Sequence, residues 1–303
     1  MNRIELFNDH FQNFKVYGIP HAQLIIADPP YNLGKNAYAS NPAWYKDGDN
    51  KNGESELAGK EFFDTDKDFR PAEFMHFCSQ MLVKEPKGDG DRGNSKAPCM
   101  IIFCAFEQLH YYIELGDRYG FKHYIPLVFR KNFSAQVLKA NMKIVGNCEY
   151  GLCLYKNRLP KFNNNGQMVF NCFDWPRDNE TPKVHPTQKP VKLLERLISL
   201  FTDEDDVVID PTAGSGSSLL AAGNLNRRAY GFEIKKDFYK LATTKVLPCI
   251  TPMIRFDEKK TRYQGKQLSI VENPDSVSDH QPDSVSDHQP DSVSASRPNS
   301  DIC

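Results

Sequence analysis

The sequence predicts an α/β fold: a doubly wound, mixed and mostly parallel sheet with long inserted loops and a disordered C-terminal tail. Short apolar runs of strand length alternate with longer segments of helical period, which is the pattern of successive βαβ units. Two of those runs, Leu24-Ile25-Ile26-Ala27 and Val207-Val208-Ile209, lead into Asp28-Pro29-Pro30-Tyr31 and Asp210-Pro211-Thr212-Ala213-Gly214-Ser215-Gly216. Open α/β sheets place ligands at the carboxyl ends of their strands, so both loops are expected to line one crevice.

The elements follow in order. Residues 23–27 are an apolar run ended by Asp28-Pro29, a buried strand. Residues 34–68 are rich in Gly, Asn, Asp and Lys but hold Trp44, Tyr45, Phe62 and Phe63, so this loop is expected to be functional. A helix is predicted over 71–83, where Phe74, Phe77, Cys78 and Met81 recur at helical spacing. Apolar runs predict strands at 99–104, 124–130 and 149–155, with a helix at 107–119 between the first two. Residues 156–184 form a second long loop, rich in Asn, Pro and charge. Helices at 189–201, 216–226 and 236–246 then alternate with strands at 206–210 and 229–233. The boundaries expected are one domain over 1–271 and a tail over 272–303. That tail repeats Pro-Asp-Ser-Val-Ser-Asp-His-Gln and has few apolar residues, so burial cannot offset its chain entropy.

A chain of 303 residues with 40% hydrophobic content can bury a full core, and no apolar run is long enough to span a bilayer. The polar N-terminus does not read as a signal peptide. Eight cysteines without metal-binding spacing point to free thiols in a reducing cytoplasm, and to no metal site. The net charge of −1 is uneven. From Glu272 onward seven acidic residues face one basic one, leaving 37 Lys and Arg against 32 Asp and Glu in the body, or +5. A polyanionic partner is compatible with that balance.

The glycine loop and the helix after it allow close backbone approach to a ligand, and Glu233 follows at a separation suited to a ribose diol. No Lys follows Gly216, which excludes a phosphate loop of the GxxxxGK type. In the other loop two prolines fix φ and remove two N–H donors. What remains is the Asp28 carboxylate and the Pro29 carbonyl beside the ring of Tyr31, with Pro30 setting the turn. Such a group suits a planar substrate bearing an exocyclic amine.

With His185-Pro186-Thr187-Gln188-Lys189-Pro190 lying between the two loops, the chain resembles the DNA amino-methyltransferases of the β group. The order DPPY, HPTQKP and then DPxxGSG carries the likeness, over about residues 4–246. Thr212 and Ser217 depart from the family's usual Phe and Thr, and Asn8-Asp9 stands where Gly-Asp is usual. The resemblance implies a Rossmann-like S-adenosylmethionine methyltransferase fold, with that cofactor bound. Gly214, Gly216 and Asp210 would lie by its methionine part, met also by Thr187 and Lys189. Glu233 would hold the ribose, and Phe232 and Asp9 would lie near the adenine. It also implies that a flipped adenine from duplex DNA stacks on Tyr31 and is held through N6 by Asp28 and Pro29. Methyl transfer to N6 would follow.

Cytosine-N4 methylation, RNA as substrate and a non-catalytic nucleic-acid-binding subunit are the competing readings. Residues 156–184 are the candidate target-recognition segment, with Lys161, Asn164, Trp175 and Arg177 as DNA contacts. Residues 34–68 are a candidate lid on the DNA side, with Trp44 as a further contact. The chain shows no nuclease motif. It can stand alone or serve beside a cognate restriction endonuclease, as a monomer or a homodimer.

Overall fold

The computed structural model describes residues 3–31, 69–87, 96–132, 136–139 and 142–252. The expectations for 34–68, including Trp44, and for the tail 272–303 lie outside the described residues. Ten strands are present among the described residues. They are β1 (Ile4–Phe7), β2 (Leu24–Ala27), β3 (Cys99–Cys104), β4 (His123–Lys131), β5 (Gln136–Lys139), β6 (Ile144–Gly146), β7 (Cys148–Tyr155), β8 (Cys172–Trp175), β9 (Val207–Asp210) and β10 (Arg228–Phe232). Six helices accompany them: α1 (Phe14–Tyr17), α2 (Pro71–Met81), α3 (Leu109–Arg118), α4 (Val191–Phe201), α5 (Ser217–Asn224) and α6 (Lys236–Leu241).

Eight strands form one sheet in the order β1-β10-β9-β2-β3-β7-β4-β8, and β5 pairs with β6 in a separate hairpin. Every neighbouring pair in the large sheet is parallel except the two made by β7, which runs against β3 and β4. After β9 the chain winds outward through α5 to β10, and after β2 it winds the other way through α2 to β3. The adjacent pair β9–β2 is therefore the topological switch point, where doubly wound sheets open a crevice.

The fold is two hydrophobic layers on one sheet. Leu24 and Ile26 of β2 face the layer that contains Leu194, Leu197 and Ile198 of α4 and Leu220 of α5. Ile25 and Ala27 face the layer that contains Phe74 and Phe77 of α2 and Tyr112 of α3. Because both faces are covered, β2 and β3 read as continuous apolar runs rather than alternating ones, which is why sequence located them.

All six predicted strands appear within one residue of their expected ends. Predicted helix 236–246 is α-helical through Leu241 and continues as a π-helix over Ala242–Val246. Sequence missed β1 and β8, edge strands four residues long, too short to show a period. The strand β8 also corrects the reading of 156–184 as a loop, since Cys172–Trp175 pairs with β4 from Val128 to Lys131.

Candidate active site

Both motif loops leave the same edge of the sheet. Asp28 follows β2, Asp210 ends β9, Glu233 follows β10, and Asp9 lies two residues beyond β1. These strands are mutually parallel, so their carboxyl ends coincide. Because β7 is antiparallel, its first residues arrive at this edge too: Tyr150 pairs with Cys104, and Glu149 with Phe129. Asn8 Nδ2 donates to the Glu233 carbonyl at 2.8 Å and ties the ends of β1 and β10 together.

The glycine loop is a tight, anchored turn. Gly214 and Gly216 adopt φ of +52° and +76°, a left-handed backbone that side chains disfavour. The Ala213 N–H donates to the Phe232 carbonyl at 2.9 Å, and Gly216 N–H to the Ala213 carbonyl at 2.8 Å. Asp210 is buried; it accepts from the Thr212 N–H at 3.0 Å and from the Ser218 hydroxyl. Burial outweighs those hydrogen bonds and pushes its pKa up to about 7. Burial likewise raises Glu233 to about 6, although the Lys235 N–H donates to it at 2.6 Å. His185 packs near Gly214 and against Phe238, and burial lowers its pKa to about 4, so the ring is neutral at pH 7. Thr187 donates its N–H to His185 Nδ1 at 3.3 Å, and its hydroxyl lies 3.1 Å from the same nitrogen.

Around Asp28 the chemistry differs. Oδ2 is paired with the Lys189 ammonium, while Oδ1 is buried without a hydrogen-bond partner among the described residues. Among the described residues the buried Tyr31 hydroxyl meets no full hydrogen-bond geometry, though it lies close enough to Asp28 for the two to interact, and Gln108 donates to the Tyr31 carbonyl from the residue before α3. Burial, reinforced by the charges of Asp28 and Glu149, keeps Tyr31 far above the usual phenol range and hence protonated. Thr212 Oγ1 and Glu149 Oε2 are the other buried side-chain polar atoms without a hydrogen-bond partner among the described residues. Buried polar atoms normally find partners, so this grouping at the carboxyl ends of β2 and β9 marks a candidate recognition surface.

Several expected contacts fall elsewhere. The Lys189 ammonium is shared between Asp28 and Glu149 and lies over Phe103 and Trp175. Phe232 is 1% exposed and enclosed by Phe7, Tyr17 and Phe77, so its ring has no face free for an adenine. It points inward because alternate residues of a strand face opposite layers. Trp175 is 6% exposed against Phe129 and Lys131, a core side chain rather than a wedge for DNA. Lys161 is buried and spans Asp203 at 2.7 Å and Asp206 at 2.8 Å, fastening the segment to the turn before β9. Asn164 closes a turn through the Gln167 carbonyl and the Gly166 N–H. Arg177 is exposed. The Asp9 carboxylate is braced by Tyr17 at 2.7 Å and Asn13 at 2.8 Å, which hold it below the usual range.

Two residues escaped sequence reading. Glu149 and Lys131 lie at the ends of β7 and β4, and their side chains pair beside Lys189. The available signal was a charge at the end of each strand, Glu149 beside the apolar run of β7 and Lys131 after Leu127-Val128-Phe129 and Arg130 of β4.

Residues 22–244 match the family described as DNA methylase. The chain belongs to that family. M.HindIII, a type II methyltransferase of Haemophilus influenzae, is 43% identical over 68 residues, 22% of each chain. The DNA adenine methyltransferase YhdJ of Escherichia coli is 24% identical over 257 residues, covering 80% of this chain and 81% of YhdJ. A solved M1.HpyAVI–SAM complex superposes with a TM-score of 0.53 at 21% identity, covering 79% of this chain and 97% of that one. At that identity the likeness speaks to the fold. The family is one of S-adenosylmethionine-dependent enzymes, and the residues fit such a donor. Gly214 and Gly216 allow the left-handed turn that brings the loop backbone round to the start of α5. Asp210 and Glu233, both raised by burial, can accept from an amine and a diol.

Proposed function

We propose that this DNA methylase transfers a methyl group to N6 of an adenine flipped out of duplex DNA. The observation that carries the reading is the buried Oδ1 of Asp28 beside Tyr31, without a hydrogen-bond partner among the described residues, at the switch point shared with the glycine loop. Asp28 Oδ1 accepts one N6–H and the Pro29 carbonyl the other, which draws the nitrogen lone pair out of ring conjugation. Tyr31 offers its ring to the base, as flipped bases are held by stacking. Bound S-adenosylmethionine would supply an electrophilic methyl carbon, with a neutral sulfide as the leaving group. Asp28 and the Pro29 carbonyl would hold the N6 lone pair toward that carbon, and the proton lost from nitrogen would depart by way of Asp28 or water. Positioning therefore carries more of the rate than a strong base would.

Asp210, Gly214, Gly216, Thr187 and Glu233 form the cofactor side of this reading. Exposed parts of 156–184, Arg177 among them, belong to target recognition. Duplex DNA is the partner, with a cognate endonuclease as the second if the chain belongs to a restriction system, in the cytoplasm as monomer or homodimer. Among the described residues no helix is long and apolar enough to cross a membrane. Nucleoside mass spectrometry after incubation with duplex DNA and S-adenosylmethionine tests the reading. N6-methyladenine is expected; N4-methylcytosine without it would overturn the choice of base.

A further inference from the structure

Behind Asp28 lies a closed set of four charges. The Lys189 ammonium pairs with Asp28 Oδ2 and stands 3.5 Å from Glu149 Oε2. The other Glu149 oxygen, Oε1, pairs with the Lys131 ammonium. Both lysines are buried, at 6% and 8% side-chain exposure, and the Trp175 ring covers both ammonium groups, with centroid distances of 4.4 and 5.4 Å. Two carboxylates and two ammonium groups leave the set electrically neutral. The four residues come from the β2 loop, the end of β4, the start of β7 and the turn before α4, so only the sheet topology assembles them.

A buried charge without its counterion costs several kcal/mol, so removing one member unbalances the rest. An Asp28–Lys189 pair alone would already be neutral. What the second pair adds is a division of Lys189 between two carboxylates, with Lys131 offsetting the extra negative charge. We propose that Lys131 and Glu149 are positioning residues of methyl transfer that act through opposed charges: Glu149 alone would draw on Lys189 and oppose the charge of Asp28, and Lys131 offsets Glu149, so that Lys189 keeps Asp28 ionised with Oδ1 turned to the target amine. This rests on the reading of Asp28 as the group that receives the amine.

The local electrostatics agree with that role. Burial raises the Asp28 carboxyl, Lys189 pulls it down and Glu149 raises it again, so Lys131 reaches Asp28 only through the charge of Glu149. Glu149 is held below the usual range because Lys189 and Lys131 together outweigh its burial. Among the described residues the other titratable groups that act on or respond to Asp28 are Tyr31 from its own loop, Cys104 from β3, Tyr112 from α3 and Asp210 from β9. Burial raises Tyr31, Cys104 and Tyr112, which keeps them neutral, so among these Asp210 alone adds a second titration.

The test is the pH dependence of the single-turnover methylation rate in Lys131→Met, Glu149→Gln and the double variant, with melting temperature and cofactor affinity measured in parallel. Lys131→Met leaves a net negative set, and the acid limb should move up by about one pH unit, a tenfold loss of rate on that limb. Glu149→Gln leaves a net positive set, and the limb should move down. The double variant is isoelectric with the wild type, and its limb should return. A role confined to packing would not produce shifts of opposite sign that cancel. Limbs that stay in place, move together, or remain displaced in the double variant would overturn the proposal. Lys131→Gln replaces Lys131→Met if the latter does not fold. Asp28→Ala in the same assay separates the two readings, because it removes the acceptor itself. A wild-type rate there defeats the role of Asp28, whereas an inactive Asp28→Ala with unmoved limbs in the Lys131 and Glu149 variants defeats only the positioning pair.

Discussion

Substituting Asp210→Asn should stabilise the free protein while impairing cofactor binding. Asp210 is 6% exposed and its pKa stands near 7 in the fold, against a reference of 3.8. A raised acid pKa means that the charged form is disfavoured in the fold, so ionisation destabilises the folded state. The cost is absent below pH 3.8, grows through the window up to about 7, and is complete above it. A shift of about 3 units corresponds to an upper bound of about 4 kcal/mol. The effective dielectric of a crevice is higher than that of a dry interior, which brings the expected gain to about 1–2 kcal/mol. Asn keeps an oxygen for the Thr212 N–H, and the Ser218 hydroxyl can turn to accept. For a domain of this size the gain is about 3–6 °C in melting temperature at pH 8, falling toward zero at pH 4. Differential scanning calorimetry of both proteins from pH 4 to 8, without cofactor, reads this directly. An increment that does not depend on pH, or a lower melting temperature at pH 8, would refute the reasoning.

Further outcomes follow from the same geometry. S-adenosylmethionine should bind more weakly as the pH falls from 8 to 5, because Asp210 and then Glu233 take up protons; calorimetric titration checks this, and a flat profile would remove both from the cofactor side. Asp28→Ala should lower the single-turnover rate about 10²–10³-fold with cofactor affinity unchanged, and a wild-type rate would contradict the site. Trp175→Ala should cost about 3–5 kcal/mol of stability, seen by denaturant unfolding. Were Trp175 a DNA contact instead, affinity for DNA would fall with no change in unfolding. Gly214→Ala should cost about 1–2 kcal/mol through its left-handed φ, with weaker cofactor binding; unchanged stability would show that the loop relaxes.

Elements buried on both faces were legible in the sequence because a continuous apolar run needs no partner to be seen. The edge strands β1 and β8 were not, since four residues half open to solvent carry no period. Site residues divide in the same way. Asp28, Asp210 and Glu233 stand where a strand gives way to a loop, and a change of composition marks that point locally. Phe232, Trp175 and Lys161 were misplaced because the same residue types serve a ligand, a core or an ion pair, and facing decides among these.

The sequence by itself determined the two loops, their chemistry, their order and the βαβ winding that sends both to one edge, because turn chemistry and hydrophobic period act over a few residues. Only the tertiary structure decided that β7 runs antiparallel and delivers Glu149 to Asp28, that Lys189 pairs with the Asp28 carboxylate, and that Lys131 completes the balance. The reason is physical: register and strand direction are settled by packing between distant segments, and a buried charge takes its counterion from whichever element that packing brings near.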